Sequence, residues 1–222
     1  MSRAITQNQI KTMLTLQYKL NSIVDSKWIE KKFPYLRAAF VEAAEALDHY
    51  GWKWWKQQAT NLPQVQIEIS DILHFYLSDL LISTDGNIDK SADIFRAECS
   101  NSSGRVILDS KTYVLNEIDT QTVLELLAAL SVLRKRNFSV LQVLMFRCGL
   151  NWQALYTSYV SKNVLNIFRQ DNGYKNGSYI KIWADREDNE YLAEIAAELN
   201  PESPRYSEDI YYQLSQKYQS LK

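Results

Sequence analysis

Four carboxylates stand in two pairs at one spacing: Glu42 and Glu45 in "FVEAAEAL", and Glu68 and Asp71 in "VQIEISDILHF". Residues three apart on a helix lie about 60° apart around the axis and one turn along it, so each pair aims two carboxylates at one point. Two facing helices then aim four. Like charges that close repel and raise one another's pKa unless a cation neutralises them. A hard divalent ion such as Mg²⁺ suits an all-oxygen ligand set and keeps coordination positions for substrate phosphates. The second pair is the sharper one. Ile67, Ile69, Ile72 and Leu73 around it demand burial, and an unpartnered carboxylate buried there is costly. The plainer alternative is that both pairs are exposed polar positions or halves of ordinary salt bridges. His74, three after Asp71, gives the D-x-x-H spacing of a metal-ligand pair, but a di-iron bundle wants two such motifs and one is present.

A second constellation lies near the other end of the chain, in "RQDNGYKNGSYIKIWADREDN". Lys162, Arg169, Lys175 and Lys181 flank the turn formers Asn172-Gly173 and Asn176-Gly177, which let backbone approach a ligand closely. Arginine can hold phosphate with two parallel hydrogen bonds, and lysines add point charges. Alone, this reads more readily as a solvated basic loop. Together with the acidic pairs it completes the two halves of a nucleotide pyrophosphate site, acids for the cation and bases for the phosphates. Its glycines predict a loop that orders when nucleotide binds.

Helices must position both constellations. Gly and Pro are scarce, six and four in 222 residues, which favours helices over sandwiches. Helical periodicity runs from Ile5 to Val24, and "YLRAAFVEAAEALDHY" after Pro34 is a helix that stops at Gly51. "QVQIEISDILHFYLSDLLI" is apolar nearly all round and reads as a buried helix, with Pro63 in its first turn. Residues 83–119 are polar and turn-rich, and read as a loop or insertion with short helical pieces and a weak hairpin signal. Helix returns at Thr120, taken as an N-cap, and again from Phe138 to Gln170 with a break near Gly149. Two short helices close the chain. The expectation is an all-α fold, a helical bundle over residues 1–222 as one domain.

The net charge of -1 gives no field for nucleic acid or a membrane surface. No apolar run approaches a membrane span, and the polar start lacks an apolar signal core. Cys99 and Cys148 lack metal-like spacing and read as reduced thiols, so the expected location is cytoplasmic.

The residues also carry a family pattern. Glu42-x-x-Glu45 followed by Glu68-x-x-Asp71 resembles the metal motif of the all-α nucleoside triphosphate pyrophosphohydrolase superfamily. "LQYKLN", "GWKWWK" and "KNVLNIFRQDNGYKNGSYIKIWADREDNEYL" resemble the more specific motifs of its dimeric dUTPase branch. The resemblance runs from about Leu14 to Leu192, and 83–119 is its least typical part.

The resemblance implies an all-α homodimer that hydrolyses dUTP, and commonly dUDP, to dUMP and pyrophosphate. It implies two or more Mg²⁺ ions per site, with Mn²⁺ able to substitute, held by Glu42, Glu45, Glu68 and Asp71. Glu45 is the implied general base. Lys162, Asn166, Arg169, Tyr174, Lys175 and Lys181 are the implied phosphate ligands. Gln17 and Asn21, four apart on one helical face, suit the uracil edge and the sugar. Trp52 or Trp55 could stack on the base, or pack at the dimer interface with Trp54, and His74 would exclude a 2′-hydroxyl. Rival readings are a sister pyrophosphatase acting on other nucleotides, a non-catalytic helical interaction protein and a di-iron oxidase.

Overall fold

The computed structural model describes residues 4–100 and 104–221. Residues 1–3 of the polar N-terminal run, residues 101–103 of the expected insertion, and residue 222 lie outside the described residues.

Ten α-helices and two small antiparallel hairpins make up the described chain. They are α1 (Gln7–Val24), α2 (Trp28–Lys31), α3 (Tyr35–Tyr50), α4 (Leu62–Ser83) and α5 (Ile88–Ser100). The hairpin β1 (Arg105–Leu108) with β2 (Lys111–Val114) follows, then α6 (Thr120–Val132), α7 (Phe138–Arg147) and α8 (Trp152–Asp171). A single 3-10 turn at Tyr174–Asn176 leads to β3 (Ile182–Trp183) and β4 (Arg186–Glu187), and then to α9 (Asp188–Glu198) and α10 (Tyr206–Leu221). The all-α expectation holds.

Local chemistry sets most boundaries. Thr6 caps α1 in a reciprocal box with Gln9, which satisfies two otherwise orphaned donors. Gly51 ends α3 with a φ of 92°, a conformation that costs glycine little. Pro63 sits in the first turn of α4, where its missing N–H is harmless. The break between α7 and α8 falls at Gly149, with a φ of 76°, and Asn151 caps the new helix. The cap of α6 is Asp119, not Thr120: its side chain accepts from the Thr122 amide at 2.7 Å. An aspartate one residue earlier outcompetes a threonine already inside the helix.

The hub is α4. It packs against α1, α3, α5, α7 and α8, which is why its sequence is apolar nearly all round. Val65, Ile69, Ile72, Leu73, Tyr76, Leu77, Leu80 and Leu81 are all fully enclosed. The buried hydrophobic residues form one connected cluster from α1 to α10.

Residues 83–119 depart from the expected loop. They hold α5, a thirteen-residue helix packed on α1 and α7, and a hairpin of two four-residue strands. Phe95 is fully buried, 4.5 Å between ring centres from Phe138 and 5.6 Å from Trp152. The polar residues that suggested a loop occupy the outer face of a helix whose inner face buries Ser91, Ala92 and Phe95 and packs Ile88, Ile94 and Cys99 partly against the core. The helix is amphipathic but polar on average, and its polar composition outweighs that periodicity in the reading of a loop.

Candidate active site

Four helices converge. From α3 come Glu42 and Glu45, from α4 Glu68, Asp71 and His74, from α1 Gln17 and Asn21, and from α8 Lys162, Asn166 and Arg169.

Helices α3 and α4 lie side by side, and ligand oxygens of Glu42, Glu68 and Asp71 fall within 4.8 Å of one another. Glu68 is buried and the other two are half-buried. Burial, the charge of Asp71 and a hydrogen bond with Glu68 push Glu42 up to about 7. Burial also raises Glu68, against the lowering effect of that hydrogen bond and of His49, whose Nε2 stands 3.7 Å from Glu68 Oε1. Burial raises Asp71, and Lys162 offsets part of the effect. The carboxylates are therefore held closer than ionised groups tolerate alone, and their donors are all oxygen. Both features fit a hard divalent cation. Glu45 is outside the tight trio. It is exposed, yet near enough for its charge to act on Glu42, Glu68 and Asp71.

A buried polar network lies alongside. Gln17 Nε2 donates to Asn21 Oδ1 at 2.9 Å, and Asn21 Nδ2 donates to Ser78 Oγ at 3.0 Å. Gln17 Oε1 accepts from the Tyr159 hydroxyl at 2.6 Å and from Asn163 Nδ2 at 3.3 Å, and lies 2.8 Å from His74 Nδ1. The rings of His74 and Tyr159 stack with centres 4.1 Å apart. Burial and the nearby Lys162 charge lower the His74 pKa to about 3, so the ring is neutral. Two buried atoms at this network, His74 Nε2 and Asn163 Oδ1, have no hydrogen-bond partner. Unpaired buried polar atoms are costly and rare, which fits a place kept for ligand donors. His74 is thus engaged with the amides, and the group of ligand atoms close enough to share an ion does not include it.

Lys162 bridges the two halves, close enough to act electrostatically on both Asp71 and His74. Tyr159, Lys162, Asn163, Asn166 and Arg169 fall within an arc of about 120° on one face of α8. Amides and cations therefore follow one another along a single edge.

Beyond α8 the structure separates the basic residues. Arg169 is engaged: its Nε and Nη2 lie 2.8 and 2.7 Å from the two carboxylate oxygens of Asp188, and its Nη1 is 3.3 Å from Asn166 Oδ1. Lys175 lies 3.4 Å from the Val24 carbonyl at the end of α1, Lys181 pairs with Glu187 at 3.2 Å, and Tyr174 is exposed. Gly173 has a φ of 92°, and a Cβ there would meet Ser178 Oγ at 2.0 Å. Trp52 donates to Asp48 at 2.9 Å and meets Trp55 edge-on at 5.2 Å. The cap of α9 is Glu187, in a reciprocal box with Glu190.

A family model described as dUTPase matches residues 9–174. The chain belongs to the dUTPase family. It is an enzyme that hydrolyses dUTP, and its substrate is a nucleotide. The dUTPase match takes in both acidic pairs, the Gln17 network and the α8 face. It stops before Lys175, Lys181 and Asp188. No curated protein matches the chain. No helix among the described residues is long and apolar enough to cross a membrane.

Sequence reasoning missed Ser78, Tyr159, Asn163 and Asp188. Tyr159 and Asn163 had a usable signal, since they lie on the α8 face that carries Lys162 and Asn166. Asp188 had none beyond its place in the C-terminal motif.

Proposed function

We propose that this dUTPase is Mg²⁺-dependent, splits the α–β phosphoanhydride of dUTP to give dUMP and pyrophosphate, and also accepts dUDP. The observation that carries this reading is the trio Glu42, Glu68 and Asp71, its oxygens within 4.8 Å, with the Lys162 charge beside it. With Glu45 these residues would hold two or more divalent ions, Mn²⁺ substituting for Mg²⁺. When bound, such ions would neutralise charge on the phosphate oxygens.

The chain's own groups do the remaining work. Glu45, open to solvent beside the trio, takes the proton of the attacking water as general base. Lys162, Asn166 and Arg169 receive the phosphate chain along α8, and Tyr174, Lys175 and Lys181 close on it from the following segment. Gln17, Asn21 and His74 line the nucleoside end, where the two unpaired acceptors suit donors on the base and sugar. His74, stacked on Tyr159 with ring centres 4.1 Å apart, would be the residue that excludes a 2′-hydroxyl.

The active form we propose is a homodimer. In support, Phe40 and Val41 on α3, Leu62 and Ile67 on α4, and Trp52, Trp54 and Trp55 between them expose apolar surface, with Trp54 at 87%. Trp52 then meets nucleoside or partner through that surface. The two free cysteines agree with a cytoplasmic enzyme that keeps dUTP low and supplies dUMP for dTMP synthesis.

Product analysis with dUTP, dUDP, dCTP, dTTP and UTP, each with Mg²⁺ and with EDTA, tests the reading. Rapid conversion of dUTP to dUMP and pyrophosphate, abolished by EDTA, supports it. Preference for another nucleotide overturns the nucleoside assignment, and turnover in EDTA overturns the role given to the carboxylates.

A further inference from the structure

Asp188 is the first residue of α9, and its side chain has no exposure to solvent. Three donor atoms end on its carboxylate: Nε and Nη2 of Arg169, and the Tyr179 hydroxyl at 2.8 Å. Its backbone N–H donates to the Lys181 carbonyl at 3.0 Å. One side chain thus ties the end of α8 to the chain entering β3 and to the start of α9. The N-terminus of α9 favours its negative charge. A two-pronged arginine–carboxylate pair also fixes the plane of the guanidinium, which a lone surface arginine would not have.

That geometry divides Arg169. Two nitrogens are taken up by Asp188. The third, Nη1, stands beside Asn166, one turn back on the face that carries Lys162. We propose that Asp188 is a positioning residue for dUTP hydrolysis: it turns Arg169 so that Nη1 is the edge offered to phosphate, and through Tyr179 it holds residues 172–187 against α8. The proposal rests on the reading of Arg169 as a phosphate ligand, and it concerns residues beyond the stretch matched by the dUTPase family.

Asp188→Asn keeps the shape but sets an amide N–H against the guanidinium. The expected result is a KM for dUTP raised about tenfold with kcat changed less than about threefold, and an affinity for deoxyuridine, which lacks phosphate, within about twofold of the parent. An unchanged KM overturns the proposal. So does an equal loss of deoxyuridine affinity, which would mean a general structural defect. Tyr179→Phe keeps the Arg169–Asp188 fork and serves if Asp188→Asn does not fold. Here tryptic cleavage at Lys175 and Lys181 accelerates while the thermal midpoint stays within about 2 °C, because only a local opening is made easier. An unaltered cleavage rate counts against the clamp. Arg169→Ala separates the two readings: if it leaves the KM of an active parent unchanged, the phosphate role fails, whatever Asp188 does.

Discussion

Gln17 Oε1 and His74 Nδ1 lie 2.8 Å apart, and this contact decides which ring nitrogen of His74 is left bare. Gln17 donates its Nε2 to Asn21, so the end facing the ring is the acceptor. The proton therefore sits on Nδ1, and the buried Nε2 keeps a lone pair with no hydrogen-bond partner. The ring signals of His74 should not titrate between pH 8 and 5 by NMR, because its pKa is lowered to about 3. The sign for stability follows. Below about 6.5 the unfolded chain takes up a proton that the native ring refuses, so this group removes stability as pH falls from about 6.5 toward 3. A ring that titrates near 6.5 in the native protein would show that it is solvated.

The carboxylate trio has the opposite linkage. Glu42 is raised from 4.5 to about 7, so the native state holds a proton that the unfolded chain releases. Without a cation, stability should decline as pH rises from about 4.5 through 7. Bound Mg²⁺ should relieve the repulsion, so its stabilising effect should be larger at pH 8 than at pH 5.5. Thermal unfolding at both pH values, with Mg²⁺ and with EDTA, checks this. Equal Mg²⁺ effects at the two pH values would sink it.

Glu45→Gln keeps the size of the side chain and removes its ability to take a proton. Loss of a general base lowers kcat by about 10² to 10⁴. The KM for dUTP should move far less than kcat, since the other acidic residues and the α8 cations are untouched. Steady-state kinetics at saturating Mg²⁺ decide the matter, and a kcat within threefold or so of the parent would remove Glu45 from the mechanism.

Phe95→Ala tests the place of α5 in the core. The ring is fully buried between Phe138 and Trp152, and such truncations cost about 3–5 kcal/mol. Urea unfolding should show a lower midpoint with little change in slope. A loss below about 1 kcal/mol would mean that residues 83–119 are the appendage their sequence suggests.

Much of this protein is legible from residue spacing. Glu42 and Glu45, and Glu68 and Asp71, must share a helix face because three residues make nearly one turn. The apolar ring around Glu68 marks α4 as buried, and Gly149 marks the break before α8. These are statements within one element, where covalent geometry sets direction. What spacing does not fix is the distance between elements. Gln17 meets Tyr159 across 142 residues, and Arg169 meets Asp188 instead of open solvent, because α1, α8 and α9 dock where the core lets them. The same packing sets Glu45 outside the trio of Glu42, Glu68 and Asp71, and makes α5 part of the core. Which polar groups become partners is settled by how the helices close around α4, since burial is what makes an unpaired amide or carboxylate costly enough to select one arrangement.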